Sequence, residues 1–99
     1  MSTRAKKTAG VIGGSGYTGG ELIRLLINHP EVSIDFVCST TRPGTYLTDT
    51  YNDLIGQTDL QFTDEINPNV DVLFLCLGHG LSGTFLQENP MNDNTKIID

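Results

Sequence analysis

Ninety-nine residues suffice for one small domain with a single core. Twelve acidic residues against six lysines and arginines leave a formal charge of -6, which repels a phosphate backbone and argues against nucleic acid as a partner. No stretch approaches the roughly 20 apolar residues of a membrane span. The basic residues Arg4, Lys6 and Lys7 run into an apolar segment too short for a secretory signal, so a cytoplasmic location is expected.

In chain order, Thr8 to Ile12 is a short apolar run ending in glycines, the pattern of a buried strand feeding a tight turn. Glu21 to Ile27 has Leu and Ile at helical spacing with one central charge, which predicts a helix lying close on a sheet. Pro30 stops it, since proline cannot continue the hydrogen-bond ladder and restricts His29 before it. Val32 to Cys38 then reads as a second strand, completing a βαβ unit. From Arg42 to Asp59 the chain reads as loop with one short helix, Leu47, Tyr51, Leu54 and Ile55 standing at helical spacing.

Leu60 to Thr63 alternates like an edge strand, and Val70 to Leu77 is the most hydrophobic segment, suited to a central parallel strand covered on both faces. A helix through Leu81, Phe85 and Leu86 reaches Asn89-Pro90, and Thr95 to Ile98 opens another strand. Strands and helices in alternation predict an α/β fold: a doubly wound, parallel Rossmann-type sheet of about five strands, truncated as a fragment, with residues 1–99 as its one partial domain. Missing strands would leave apolar surface near Ile97 and Ile98 exposed at the sheet edge. Cys38 and Cys76 fall in apolar runs without metal-ligand spacing and are expected as reduced core residues.

The chemistry-bearing motif is Gly13-Gly14-Ser15-Gly16-Tyr17-Thr18-Gly19, between the first strand and first helix. Gly13 permits the sharp turn, Gly16 lets the backbone approach a pyrophosphate, and Gly19 lets the helix lie against the sheet. The unpaired N–H groups and positive dipole end of the helix then face the phosphates, with hydroxyls from Ser15 and Thr18 in reach and Tyr17 over the cofactor or the helix start. A P-loop is excluded, because the turn has no lysine. An NAD-selective site usually places an acidic residue after the second strand to hold the ribose 2'-hydroxyl. Here Ser39-Thr40-Thr41-Arg42 stands instead, with Asp35 in mid-strand. Three hydroxyls and a guanidinium suit a 2'-phosphate, so NADP is favoured over NAD. Leu77, Gly78 and His79 open the loop after the fourth strand, where Gly78 and Gly80 would admit a cofactor close to the backbone. His79 has no partner readable from the sequence and is expected to orient backbone or cap the next helix. His29 is expected as a helix-terminus residue. No metal site is expected.

The run Gly13 to Leu22, continued by Leu25-Leu26-Ile27-Asn28-His29-Pro30-Glu31-Val32, closely resembles the opening of the N-acetyl-gamma-glutamyl-phosphate reductases. Phe74 to Gly80 is similar to that family's strand and loop, except that a proline is usual where Gly78 stands. The resemblance covers essentially the whole chain. It implies that Ser15, Gly16, Tyr17 and Thr18 contact the pyrophosphate, Ser39 to Arg42 the adenosine phosphate end, and Leu77 to His79 the inner part of NADP. It further implies reduction of N-acetyl-glutamyl phosphate to the semialdehyde in arginine biosynthesis, by a full-length homo-oligomer using a cysteine nucleophile, a histidine and NADPH through a thiohemiacetal and thioester. That cysteine and histidine are expected beyond Asp99, so no catalytic residue is assigned within the chain, and neither Cys38 nor Cys76 matches the nucleophile. An aspartate-semialdehyde dehydrogenase-like sibling, a non-catalytic NADP-binding regulatory module and a purely structural βαβ unit stay open as alternatives.

Overall fold

The computed structural model describes residues 6–13, 17–39, 41–77 and 80–99. The chain runs β1 (Lys7–Ile12), α1 (Tyr17–Ile27), β2 (Val32–Cys38), α2 (Leu47–Thr50) with a 3-10 turn at Asn52–Leu54, β3 (Phe62–Thr63), β4 (Val72–Leu75), α3 (Ser82–Glu88) and β5 (Lys96–Ile98). The strands form one five-stranded sheet in the order β3-β2-β1-β4-β5, every neighbouring pair parallel. Helices cover both faces, so the α/β, doubly wound expectation holds. Among the described residues, no helix is long and apolar enough to cross a membrane.

Alternation along the strands sorts the core into two layers. Val11 and Val37 point to one face, where Ile23 and Leu26 of α1, Leu47, Tyr51, Leu54 and Phe62 close over them. Ile12, Phe36, Cys38, Leu73 and Leu75 point to the other, with Phe85 and Leu86 of α3 half-buried against them. Fully burying a side chain of this size contributes about 1.5–3 kcal/mol, so among the described residues the α1 layer, with eight buried members against six, is the stronger. α3 buries none of its residues fully.

Several boundaries differ from the sequence reading. α1 begins at Tyr17 rather than Glu21, running through Gly19 and Gly20, both buried. Glycine costs a helix roughly 0.8–1 kcal/mol per residue, so tertiary packing rather than propensity extends it. β4 spans Val72–Leu75 instead of 70–77, because its ladder with β1 ends at Ile12↔Leu75 and β1 turns away at Gly13; Cys76 N–H still donates to Ile12 O at 2.8 Å. β3 keeps only Phe62 and Thr63 of the expected Leu60 to Thr63. Gln61 pairs antiparallel with Tyr46 instead, and Leu47 N–H donates to Leu60 O at 3.0 Å. Of the four apolar residues at helical spacing in the loop, Leu47, Tyr51 and Leu54 are buried and Ile55 is exposed. On β5, Ile97 and Ile98 are 39% and 48% exposed, the apolar edge expected.

Asp71 clips the amino end of the sheet. The Thr8 N–H and hydroxyl donate to its Oδ2 at 2.8 and 3.2 Å, while its own N–H donates to Thr8 O and its carbonyl accepts from Lys96 N–H. The hydrogen bond from the Thr8 backbone, aided by the Thr8 hydroxyl and Lys7, holds the Asp71 carboxyl below its ordinary value. The folded state therefore binds fewer protons than the unfolded chain below about pH 4. The stabilisation is complete above that pH and is lost as pH falls through the depressed folded value. Thermal unfolding scans should show Asp71→Asn lowering the midpoint at pH 7 and flattening the acid limb below about pH 4.

Gly10 and Phe36 are register partners on the α3 face, and a Cβ at Gly10 would overlap the Phe36 ring. The ring is buried over a strand that offers it a flat floor. Gly10→Ala should destabilise by about 1–3 kcal/mol, read from the urea midpoint, and Phe36→Leu in the Gly10→Ala background should recover part of it.

Candidate functional site

The chain leaves β1 for β2 and β3 on one side, then returns to β4 and β5 on the other, so strand order reverses between β1 and β4. Ligands of open α/β sheets bind in the crevice outside the carboxyl ends of the strands at such a reversal. Gly13 sits in it, directly after β1. Its N–H donates to Cys38 O at the end of β2 at 3.0 Å, and a Cβ on it would stand 2.5 Å from Cys76 O beyond the end of β4. Its φ of +80° lies in the left-handed region that favours glycine.

The turn from Gly13 reaches α1 at Tyr17, with Ser15 and Gly16 outside the described residues; Thr40, Gly78 and His79 lie outside them as well. Tyr17 is 83% exposed at the helix start, Thr18 is exposed and Gly19 buried. The first turn of α1 carries no acidic residue, so no carboxylate within it opposes an anion at the positive end of the helix dipole. At the end of β2, Ser39 is buried, its N–H donating to Thr63 O at 2.9 Å and its hydroxyl 3.3 Å from the Thr41 hydroxyl. Arg42 is exposed, and its carbonyl accepts from the Thr45 hydroxyl at 2.8 Å. Leu77 is half-buried in the α3-side core. The structure thus gathers Gly13, Tyr17, Thr18, Gly19, Ser39, Thr41, Arg42 and Leu77 around the carboxyl end of the sheet.

Asp35 is out of the way. It is the residue β2 inserts between Ile34 and Phe36, which pair with Ala9 and Gly10, and its Oδ2 accepts from Asn67 Nδ2 at 3.1 Å. Asp35 and Phe36 line an open cleft of about 670 Å³ with Asp64 and Asn67 along β2 and β3. That cleft, which Pro43 and Gly44 just beyond Arg42 also line, carries the carboxylates of Asp35, Asp64 and Glu65 and does not include Gly13, so it does not suit phosphates. His29 is a helix-terminus residue as expected: its N–H donates to Leu26 O and its Nδ1 accepts from Glu31 N–H.

Cys38 and Cys76 are free thiols. Burial pushes both up from the ordinary thiol value, with nearby Asp64 adding for Cys38 and Asp99 for Cys76. A raised thiol is a poor source of thiolate. Among the described residues, no group of three or more His, Cys, Asp and Glu could hold a metal ion.

Sequence reasoning missed four residues beside the turn. A Cβ on Gly20 would stand 2.5 Å from the Tyr51 ring, so Gly20, beside the buried Gly19, makes a close approach of its own toward the loop. The Arg24 guanidinium lies 5.3 Å from the Tyr51 ring centroid and forks onto Asp53, Nε to Oδ2 at 2.7 Å and an Nη to Oδ1 at 3.0 Å. The available signals were the single basic residue within α1 and the aromatic at helical spacing in the loop.

The family model described as "Semialdehyde dehydrogenase, NAD binding domain" matches residues 8–99. The chain is similar to the N-acetyl-gamma-glutamyl-phosphate reductase of Flavobacterium johnsoniae, 61% identical over 90 residues, and to that of Christiangramia forsetii, 56% identical over 91. These alignments cover 91% and 92% of the chain but 28% of each relative, so the chain spans little more than a quarter of their length. Among solved structures, it is similar to aspartate semialdehyde dehydrogenase with NADP from Candida albicans, with a TM-score of 0.66 and 26% identity, over 84% of this chain and 26% of that one.

Gly13→Ala should cost at least about 1–3 kcal/mol from backbone strain alone, with the overlap on Cys76 O added. A fall in the thermal midpoint well beyond that of Gly44→Ala, whose φ is also positive but whose Cβ would meet open space, would separate crowding from strain.

Proposed function

The chain belongs to the family of semialdehyde dehydrogenase NAD-binding domains, and from that membership we propose that residues 1–99 form the NADP(H)-binding part of an N-acetyl-gamma-glutamyl-phosphate reductase. The intact protein, in this reading, is a cytoplasmic homo-oligomer that reduces N-acetyl-glutamyl 5-phosphate to the 5-semialdehyde in arginine biosynthesis. The substrate domain, with its nucleophilic cysteine and histidine, lies outside these residues. The observation that carries the reading is Gly13 seated at the reversal of strand order, where a side chain would run into the backbone of the β4 end. The two reductase relatives support the substrate, and the solved relative with NADP supports the cofactor.

The residues present fit that cofactor. The N-terminal turn of α1, free of carboxylates, offers N–H donors to a pyrophosphate, with Ser15, Gly16, Tyr17 and Thr18 around it. Ser39, Thr40, Thr41 and Arg42 offer hydroxyls and a guanidinium to the 2'-phosphate, and the carboxylate of Asp35 is occupied by Asn67. Leu77, Gly78 and His79 would border the inner part of the cofactor. Bound NADPH supplies the hydride; the chain binds and orients it.

Calorimetric titration of the intact protein should give tighter binding of NADPH than of NADH. Arg42→Ala should weaken NADPH by about tenfold to a hundredfold, the worth of a hydrogen bond to a charged group, and leave NADH unchanged. Equal affinities in the wild type, or equal losses in the variant, would remove Arg42 from the site.

A further inference from the structure

The loop that carries Arg42 is fixed to α1 beside the site. From Arg42 onward the segment folds against itself: Gly44 N–H donates to Phe62 O at 2.7 Å and Phe62 N–H to Thr45 O at 2.8 Å. It anchors in the α1-side core through Leu47, Tyr51 and Leu54. The Tyr51 ring lies against the missing side chain of Gly20 in the first turns of α1. One turn further along the helix, Arg24 stands over the same ring and grips Asp53 with both arms of its fork, while a second Nη donates to Glu21 at 2.8 Å.

We propose that Arg24, Tyr51 and Asp53 are positioning residues that hold the loop bearing Arg42 at a set distance from the first turn of α1, and so set the preference for NADPH over NADH. The proposal rests on the NADP reading of the site. The two ends of the dinucleotide's phosphate system would be held by different elements, the pyrophosphate by the start of α1 and the 2'-phosphate by the loop after β2. Discrimination then depends on the spacing between those elements. Gly20 brings Tyr51 to the helix, and the planar guanidinium of Arg24 stacks on the ring while its fork fixes the angle of the 3-10 turn at Asn52–Leu54; an ammonium could not do both. Partly exposed ion pairs add little to global stability. What such a fork contributes is geometry, a bidentate contact with one orientation.

The test uses the intact protein and four forms of it: wild type, Asp53→Asn, Asp53→Glu and Arg24→Lys. Affinities for NADPH and NADH are measured by calorimetry, with thermal midpoints and amide hydrogen exchange over residues 44–54 alongside. Asp53→Asn and Arg24→Lys should weaken NADPH by about fivefold or more, in the range of ordinary coupling between sites, and NADH by much less. Exchange over 44–54 should quicken with only a small change in midpoint, and Asp53→Glu should recover most of the preference. Equal losses for both nucleotides, or an unchanged ratio in a wild type that prefers NADPH, would overturn the positioning role alone. A wild type that binds neither nucleotide would overturn the NADP reading and this proposal with it.

Discussion

The carboxyl end of the sheet is organised by Gly13, which must bond to the end of β2 and clear the end of β4 at once. Its N–H is committed to Cys38 O, and the side toward β4 leaves no room for even a Cβ beside Cys76 O. With a side chain there, β1 could not be flanked closely by both neighbours, and the chain would enter α1 along another line. The positive φ then turns the backbone out of the sheet, so one residue fixes both the closure of the three central strands and the approach of the helix that follows.

The same device recurs elsewhere with aromatic rings as the partners. Gly10 gives Phe36 a place on the α3 face, and Gly20 gives Tyr51 a place beside α1. A glycine in a strand or helix interior loses conformational entropy on folding, and in each case a buried ring occupies the space the missing side chain leaves. The amino end of the sheet is tied differently, by side chains onto backbone: Asp71 holds Thr8, and the Thr95 hydroxyl donates to Val70 O at 2.6 Å. One end is sealed by local polar clips, while the other is shaped by absent side chains.

That contrast explains what the sequence made legible. β2 was readable to the residue because Pro30 and the β-branched run mark both its ends, and the glycine turn was readable because its spacing and its place between strand and helix agree. The fold followed from the alternation. The start of α1 was not readable, since two glycines inside a helix argue against it locally and only the Tyr51 ring, thirty-one positions on, accounts for one of them. The ends of β3 and β4 were set by where their partners stop, which hydropathy does not record. Arg24, Tyr51 and Asp53 escaped because nothing in a loop of mixed composition says which of its residues will return to a helix. Gly13, Tyr17, Thr18, Gly19, Ser39, Thr41, Arg42 and Leu77 come to the same end of the sheet, as the motif spacing implied; that they hold a nucleotide is the proposal above.

A chain of net charge -6 is an unpromising receptor for an anion only if its charges act as a sum. At physiological ionic strength, exposed charges are screened beyond about 8 Å, so what matters is which charges stand within that distance of the crevice and whether they are already engaged. Asp71 is at the opposite end of the sheet, held by Thr8. Asp35 is turned to Asn67. Glu21 and Asp53, the acidic residues of α1 and the turn beside it, share one guanidinium. Arg24 therefore does two things with one group: it orients the turn after α2, and it neutralises carboxylates that would otherwise oppose the helix N-terminus. Arg42, by contrast, keeps its guanidinium in solvent while its backbone is fixed by Thr45. Asp64 and Asp99 still stand close enough to Cys38 and Cys76 at this end to push those thiols up, so a favourable field at the rim rests on Arg42 and the dipole of α1 rather than on an absence of carboxylates.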